Sequence, residues 1–193
     1  MLHNKDYWVI REFLGDYQRE VYGRGLLGKV PLSQKAIALT LDELEKKGIL
    51  SSRKQGNMKY FKLNLRGSEI KDVLVSAEIM KKIVFFDKYR KIAQVFTGDE
   101  RVVGIFGGYA KERATSDSDI DVFVIGGKKG GNYEEKGRAF DLKISIKYFS
   151  EETFKELMRK KNPLCKEIIE NHVLIFGAER FVSLAWRDYY GFS

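Results

Sequence analysis

The sequence predicts an α+β protein in two parts, a small helical domain with a hairpin followed by a sheet flanked by helices. Two apolar runs, Val102–Phe106 and Val122–Ile125, have the length and the β-branched, aromatic content of buried strands. Residues 138–149 alternate between apolar and polar side chains, as a half-buried strand does. Residues 33–47 carry apolar side chains at helical spacing and precede two short strand-like runs.

Composition limits the compartment and excludes some classes of protein. The chain has 193 residues and one cysteine, Cys165, which excludes an internal disulfide and favours a reducing compartment. We interpret Cys165 as a packing residue. No apolar stretch approaches the roughly 18 residues of a membrane span, and the N-terminus lacks the apolar region of a signal peptide. We therefore expect a cytoplasmic protein with no membrane partner.

The positive charge is concentrated in the first third of the chain. The formal net charge is +8, and residues 1–66 contain 13 Lys and Arg against 7 Asp and Glu. The rest of the chain is nearly balanced, with 22 against 20. A basic N-terminal region indicates a polyanionic partner for that region.

The residues that most clearly indicate chemistry lie between the two apolar runs. The first run ends at Gly107-Gly108, and Asp119-Ile120-Asp121 leads into the second. In a strand, Asp119 and Asp121 project from the same face, about 7 Å apart along the strand. Two such carboxylates repel each other, and Mg²⁺ or Mn²⁺ would relieve that repulsion. The glycines leave backbone N–H groups open to a phosphate. The simpler alternative is a strand–loop–strand connection with acidic turn residues.

This motif, Gly-Gly-Tyr-Ala followed by Ser-Asp-Ile-Asp, resembles the signature of the polymerase-β-like nucleotidyltransferases, and above all their minimal stand-alone members. The resemblance implies a nucleotidyltransferase domain over residues 97–193. Its substrate would be a nucleoside triphosphate, from which a nucleoside monophosphate passes to an unknown acceptor. Asp119 and Asp121 would be the catalytic metal ligands, and Gly107 and Gly108 would bind the nucleotide.

The same resemblance implies a third catalytic carboxylate on a later strand. Asp141 is the only acidic residue in the predicted strand 138–149, so it is the candidate for this metal ligand. Its same-face neighbours include Lys143, and a cross-strand ion pair would explain Asp141 equally well. The Gly-rich segment 126–131 that precedes the strand lacks the order of a P-loop, and we interpret it as a mobile connection.

Residues 1–66 resemble a winged helix-turn-helix domain. Ser33 is placed to cap a helix that Gly48 ends, and strands at 49–53 and 59–63 follow. The resemblance implies binding of double-stranded DNA, with the helix 33–47 in a major groove. The candidate contacts are Gln34 and Lys35 on that helix and Arg53, Lys54 and Lys59 on the wing. A winged helix used only for dimerisation or protein contact is the alternative.

Residues 67–96 carry a long helical pattern and are predicted to be a helical linker. Packing of two such helices could build a homodimer. Two further functions stay open for the whole chain. One is a DNA-binding regulator whose second domain is degenerate or senses nucleotides. The other, which the resemblance implies, is an antitoxin that neutralises a toxin protein.

Overall fold

The computed structural model describes residues 4–115, 117–127 and 130–192. It divides into two compact units, Met1–Ala77 and Glu78–Ser193. The predicted boundaries at 66/67 and 96/97 stay predictions. None of the helices among these residues is long and apolar enough to cross a membrane.

The first unit is a helical layer beside a small antiparallel sheet. Its sheet has the strand order β1-β3-β2. In chain order its elements are α1 (Asn4–Ile10), a 3₁₀ turn (Arg11–Phe13), β1 (Val21–Tyr22), a 3₁₀ turn (Gly23–Leu26), α2 (Gln34–Lys46), β2 (Leu50–Gln55) and β3 (Met58–Leu63).

Helix α2 begins and ends as the sequence predicts. The Ser33 side chain accepts a hydrogen bond from the backbone N–H of Ala36, which caps the first turn. Its buried face is formed by Ile37, Leu41 and Leu44. The segment 21–29 forms a two-residue strand and a 3₁₀ turn, because its glycines disfavour a regular helix.

The second unit is a sheet flanked by helices, as predicted, and the sheet is mixed and has four strands. Helix α3 (Ile70–Lys88) contains the boundary between the units. The elements that follow are α4 (Arg90–Val95), β4 (Val102–Phe106), α5 (Gly107–Ala110), β5 (Ile120–Ile125), α6 (Tyr133–Arg138), β6 (Ile144–Phe149), α7 (Glu151–Arg159), α8 (Pro163–Glu170), β7 (His172–Phe176), α9 (Ala178–Leu184) and a π-helical turn (Ala185–Tyr189).

The sheet is covered on both faces, which explains its almost wholly apolar central strands. Its order is β6-β5-β4-β7, with β5 and β6 parallel and the other pairs antiparallel. On one face Val122 and Val124 belong to a core cluster with Tyr133. On the other, the ring of Phe123 lies 5.7 Å from that of Phe181.

The strand predicted at 138–149 is shorter than the alternation indicates. Residues up to Arg138 belong to α6, and the strand begins only at Ile144. The N–H groups of Phe140 and Leu142 both bond the carbonyl of Gly137, which closes a turn. Asp141 lies in this turn with a φ of +57°, a left-handed conformation that Asp tolerates better than most residues. The local turn hydrogen bonds thus replace the first part of the predicted strand.

Buried polar groups fix two parts of the second unit. Arg101 is 9% exposed and donates to the Asp99 carboxylate and to the carbonyls of Gly127 and Gly130. The hydrogen bonds from Arg101 hold the pKa of Asp99 well below its usual range, and Tyr133 donates to the same carboxylate. The Gly-rich connection, predicted to be mobile, is therefore anchored on both sides of Lys128-Lys129, which lie outside the described residues.

The second buried polar interaction joins Glu78 on α3 to His172 at the start of β7. His172 Nε2 lies 2.9 Å from Glu78 Oε1, and His172 Nδ1 faces the carbonyls of Ile168 and Ile169. Carbonyls only accept, so Nδ1 carries a hydrogen. Burial pushes the pKa of Glu78 up, but the charge and hydrogen bond of His172 outweigh it and hold that pKa below its ordinary value. Cys165 is also buried, which raises the pKa of its thiol to about 12 and fits a packing residue.

Candidate active site

The glycine doublet and the second aspartate of the motif are in direct contact. Gly107 follows the last residue of β4, and Phe106 pairs with Asp121 across the ladder. Gly107 has a φ of +68°, and a Cβ built on it would lie 2.4 Å from Asp121 Oδ2. Glycine is therefore needed here twice, for the backbone conformation and for the space that the carboxylate occupies. Gly108 is the second residue of the short helix that Gly107 begins, and a Cβ there would meet nothing closer than Ala114, at 3.8 Å.

The two aspartates interact electrostatically. Asp121 is half-buried at the start of β5, and Asp119 is exposed just before the strand. Burial raises the pKa of Asp121, the charges of Asp119 and Glu167 raise it further, and Lys147 opposes them. A carboxylate in this setting is ionised at a cost that a cation between the acidic groups would offset.

Asp141 is not gathered into the same cluster. It is exposed in the turn before β6. Among the residues that the structure describes, no group of three or more His, Cys, Asp or Glu side chains is placed to hold a metal ion. In the parallel β5–β6 ladder the partner of Asp121 is Ser145, and the partner of Phe123 is Lys147. Strand β6 therefore places Ser145, and not a carboxylate, beside Asp121, and the role of Asp141 stays a prediction.

Sequence reasoning missed Glu167. This residue lies on α8, and its carboxylate accepts a 2.6 Å hydrogen bond from Lys111 Nζ, just after the glycine-doublet helix. Its charge also reaches Asp121. Nothing in the sequence marks it, because it lies more than 40 residues from the motif in a helix with ordinary amphipathic spacing. Only the packing of α8 shows that it belongs near the site.

The candidate DNA contacts lie in the first unit, where Lys54 and Lys59 are partners in the β2–β3 ladder. Gln34 and Lys35 are exposed at the start of α2, and Lys54 is exposed on β2. Arg53 pairs with Glu20 at 2.6 Å. The remaining wing cation, Lys59, pairs with Asp42 at 2.9 Å and Glu45 at 2.6 Å. Two of the three wing cations thus have intramolecular acidic partners.

The second unit therefore belongs to a structural class of domains with a mixed sheet. In its candidate site, two aspartates lie at the start of a strand, next to a tightly packed glycine. The family model described as "Polymerase beta, Nucleotidyltransferase" matches residues 86–181. This segment of the chain is a polymerase-β-like nucleotidyltransferase domain. Comparison with curated proteins and with solved structures gives no match.

Proposed function

We propose that the second unit transfers a nucleoside monophosphate from a nucleoside triphosphate to an acceptor. The family match indicates nucleotidyl transfer. The observation that carries the proposal is the contact of Gly107 with the Asp121 carboxylate, which joins both halves of the motif at one sheet end. A phosphate that approaches the bare Gly107–Gly108 backbone would thereby lie beside the acidic groups.

The acidic groups fit a divalent cation. Mg²⁺ is commonly held by one or two carboxylates together with phosphate oxygens, and Asp119 with Asp121 is such a pair. When bound, Mg²⁺ or Mn²⁺ would neutralise phosphate charge and polarise the phosphorus that is attacked. Asp121 would hold the cation from a half-buried position, where burial first, and then the charges of Asp119 and Glu167, raise its pKa.

The basic groups near this end of the sheet suit the rest of a triphosphate. Lys111 follows the glycine-doublet helix and is now paired with Glu167. Lys147 is exposed on the strand beside Asp121. Both ammonium groups can bind phosphate oxygens, and the Glu167 carboxylate keeps Lys111 in place before the nucleotide arrives.

The test is transfer of label from each of the four α-³²P-labelled NTPs in the presence of Mg²⁺, with cell extract as the source of acceptor. We expect labelled product with at least one nucleotide, and a loss of roughly 100-fold or more in Asp121→Asn. Glu156→Gln, on the exposed side of α7, is the matched control and should keep full activity. Equal labelling by wild type and Asp121→Asn, or no nucleotide binding by the wild type, would reject the proposal.

The β5–β6 register favours a second candidate, a domain that senses nucleotides without turning them over. Ser145 stands where a further carboxylate would complete a metal site beside Asp121. A sensor would bind NTP and Mg²⁺ with measurable affinity in calorimetry, and its bound nucleotide would be recovered intact. Recovery of pyrophosphate would exclude this candidate.

For the first unit we propose a winged helix-turn-helix that binds double-stranded DNA. Its support is the order of helices and hairpin, the exposed Lys35 and Lys54, and the basic excess of residues 1–66. A gel shift with genomic fragments at rising salt tests it, since contacts to phosphate weaken steeply with ionic strength. Lys54→Glu should weaken binding, and Lys160→Glu in the second unit should not. Absence of a shift at low salt would reject DNA binding.

A further inference from the structure

A pocket of about 550 Å³ opens in the first unit, where three elements meet. The 3₁₀ turn after β1, helix α2 and the β2–β3 hairpin all contribute lining residues. The volume of the pocket falls within the range of sites that take small molecules. We therefore ask which ligand the lining residues suit.

The floor of the pocket is apolar and belongs to the core of the unit. Leu41 is 1% exposed and Phe61 is 4% exposed, and both line the pocket. Met58, on the hairpin, also lines it and is 46% exposed. A thioether is polarisable, adapts its shape to a neighbour and makes favourable contacts with aromatic rings. A ligand that covers Met58 and the floor would remove apolar surface from water.

Tyr22 gives the pocket an aromatic wall that is held in place. A Cβ built on Gly25 would lie 2.9 Å from the Tyr22 ring, so the ring packs directly against the backbone of the turn. The Tyr22 ring also meets that of Tyr60 edge to face, with centroids 5.6 Å apart. Tyr22 nevertheless stays 38% exposed. A ring that is already fixed offers a flat apolar surface at little cost in side-chain entropy, which suits a planar aromatic ligand.

Arg24 is the lining cation that is left to meet an anion. Lys59, the other lining cation, pairs with Asp42 at 2.9 Å and with Glu45 at 2.6 Å, so its charge is taken up within the unit. Arg24 is exposed in the 3₁₀ turn, and it forms no ion pair with any acidic side chain that the structure describes. A guanidinium presents a planar array of N–H donors that matches the two oxygens of a carboxylate. The pocket thus combines a carboxylate site with a site for a flat apolar ring.

We propose that this pocket binds an aromatic monocarboxylate, with its ring against Tyr22 and Met58 and its carboxylate at Arg24, and that the bound ligand weakens DNA binding by the first unit. The binding depends on the pocket alone. The effect on DNA rests on the proposed DNA-binding function of this unit.

The pocket borders two of the candidate DNA contacts, which is the reason to expect competition. Lys59 lines it directly. Ala38 and Asp42 also line it, and they lie three and seven residues after Lys35 on α2, so all three share one helix face. A ligand seated against Ala38 and Lys59 would therefore occupy the surface that DNA is proposed to approach.

Binding is tested by calorimetric titration of the full chain with indole-3-acetate, indole-3-acetamide and acetate. The acid and the amide share one ring and nearly one shape, but only the acid is charged. We expect the acid to bind about 10-fold or more tightly than the amide, and acetate not to bind measurably, because the site needs both ring and carboxylate. Arg24→Gln should weaken the acid about 10-fold and leave the amide unchanged. Arg66→Gln changes an exposed arginine outside the lining and should affect neither ligand.

A second pair of variants tests the place of the ring. Ala38→Phe adds a ring at an exposed lining position of α2 and should abolish binding of the acid and of the amide. Leu39→Phe adds the same ring at the next position, which is 54% exposed and does not line the pocket, and should leave both affinities unchanged. Acid binding no tighter than amide binding, or acid binding unaffected by Arg24→Gln or by Ala38→Phe, would overturn the site.

Gel shifts with genomic fragments test the effect on DNA. Saturating indole-3-acetate should weaken the wild-type shift about 10-fold, and Arg24→Gln should need about 10-fold more of the acid for the same effect. A wild-type shift that the saturating acid leaves unchanged would overturn the competition. If the ligand-free protein shifts no DNA, the DNA-binding function fails and the competition fails with it, whereas the calorimetric titration still decides the pocket by itself.

Discussion

Asp121 is costly to the folded protein before any ligand is bound. Because its pKa is raised, the folded state holds its proton more strongly than the unfolded chain does, and stability falls as the pH rises from the ordinary carboxyl range through the raised pKa. Asp121→Asn removes the charge but keeps the shape. We expect this variant to melt about 2–4 °C above wild type at pH 8 and nearly with it at pH 4.

Glu156→Gln is the control, measured in the same thermal melts, because the pKa of Glu156 is shifted in the opposite direction to that of Asp121. Its hydrogen bond from Lys160 lowers the pKa of Glu156, so its charged form is favoured in the folded state. That variant should gain nothing at pH 8. A drop in the melting temperature of Asp121→Asn at pH 8 would contradict a strained carboxylate.

Gly107 combines a left-handed backbone with a crowded Cα, and these two effects can be separated. Gly107→Ala should lose about 1–3 kcal/mol of unfolding free energy and most of the transfer activity, because its methyl group would displace the Asp121 carboxylate. Gly48→Ala is matched in backbone angle, with a φ of +72°, and nothing lies within 4 Å of its Cβ.

Urea unfolding of both glycine variants checks this. The Gly48 variant reports backbone strain alone, and the excess loss at Gly107 reports the contact with Asp121. Equal losses at the two positions, or full activity in Gly107→Ala, would show that the carboxylate does not depend on the missing side chain.

At the scale of elements, the start and the register of β6 are features that the sequence alone does not predict. The alternation of residues 138–149 correctly indicates a strand, but it cannot reveal that hydrogen bonds to Gly137 hold its first part in a turn. The strand's register decides which side chain faces Asp121, and register follows from pairing between strands that the sequence does not show. Asp141 lies in the turn before the strand, and the ladder places Ser145 beside Asp121.

This register predicts a gain of function. Ser145→Asp should add a carboxylate beside Asp121 and tighten Mn²⁺ binding about 10-fold in calorimetry. Ser183→Asp, on the exposed side of α9, adds the same charge elsewhere and is the control. Unchanged Mn²⁺ affinity in the Ser145 variant would show that the β6 position cannot reach the cation.

The buried pair of Glu78 and His172 makes α3 and β7 depend on each other. Glu78→Leu alone leaves His172 without its partner and should cost about 3–5 kcal/mol in urea unfolding. The double variant Glu78→Leu/His172→Phe replaces both polar groups and should recover at least about 1 kcal/mol, with Phe181 already beside the ring. A double variant as unstable as the sum of its single variants would contradict coupling through this pair.

At the scale of the whole molecule, the sequence predicts the α+β class, a sheet flanked by helices and the helix that Ser33 caps, because each follows from local periodicity and capping. Strand geometry predicts that the two aspartates project together, whereas it is the resemblance to the nucleotidyltransferase signature that joins them to the glycine doublet in one site. Contacts between distant segments could not be read in this way. The position of Glu167 near Asp121 and the anchoring by Arg101 both arise from packing of segments far apart in the chain.

The edge position of β6 has a consequence for the solubility of the protein. An outermost strand presents backbone groups that can recruit the strand of another molecule, and lysine on such a strand discourages this aggregation. Lys147, which partly balances the charge of Asp121, also lies on this edge strand, where its charge disfavours pairing with a strand of another molecule. Redesign of the site toward stronger metal binding is therefore safer at Ser145 than at Lys147, because removing the lysine would leave the sheet more open to intermolecular pairing.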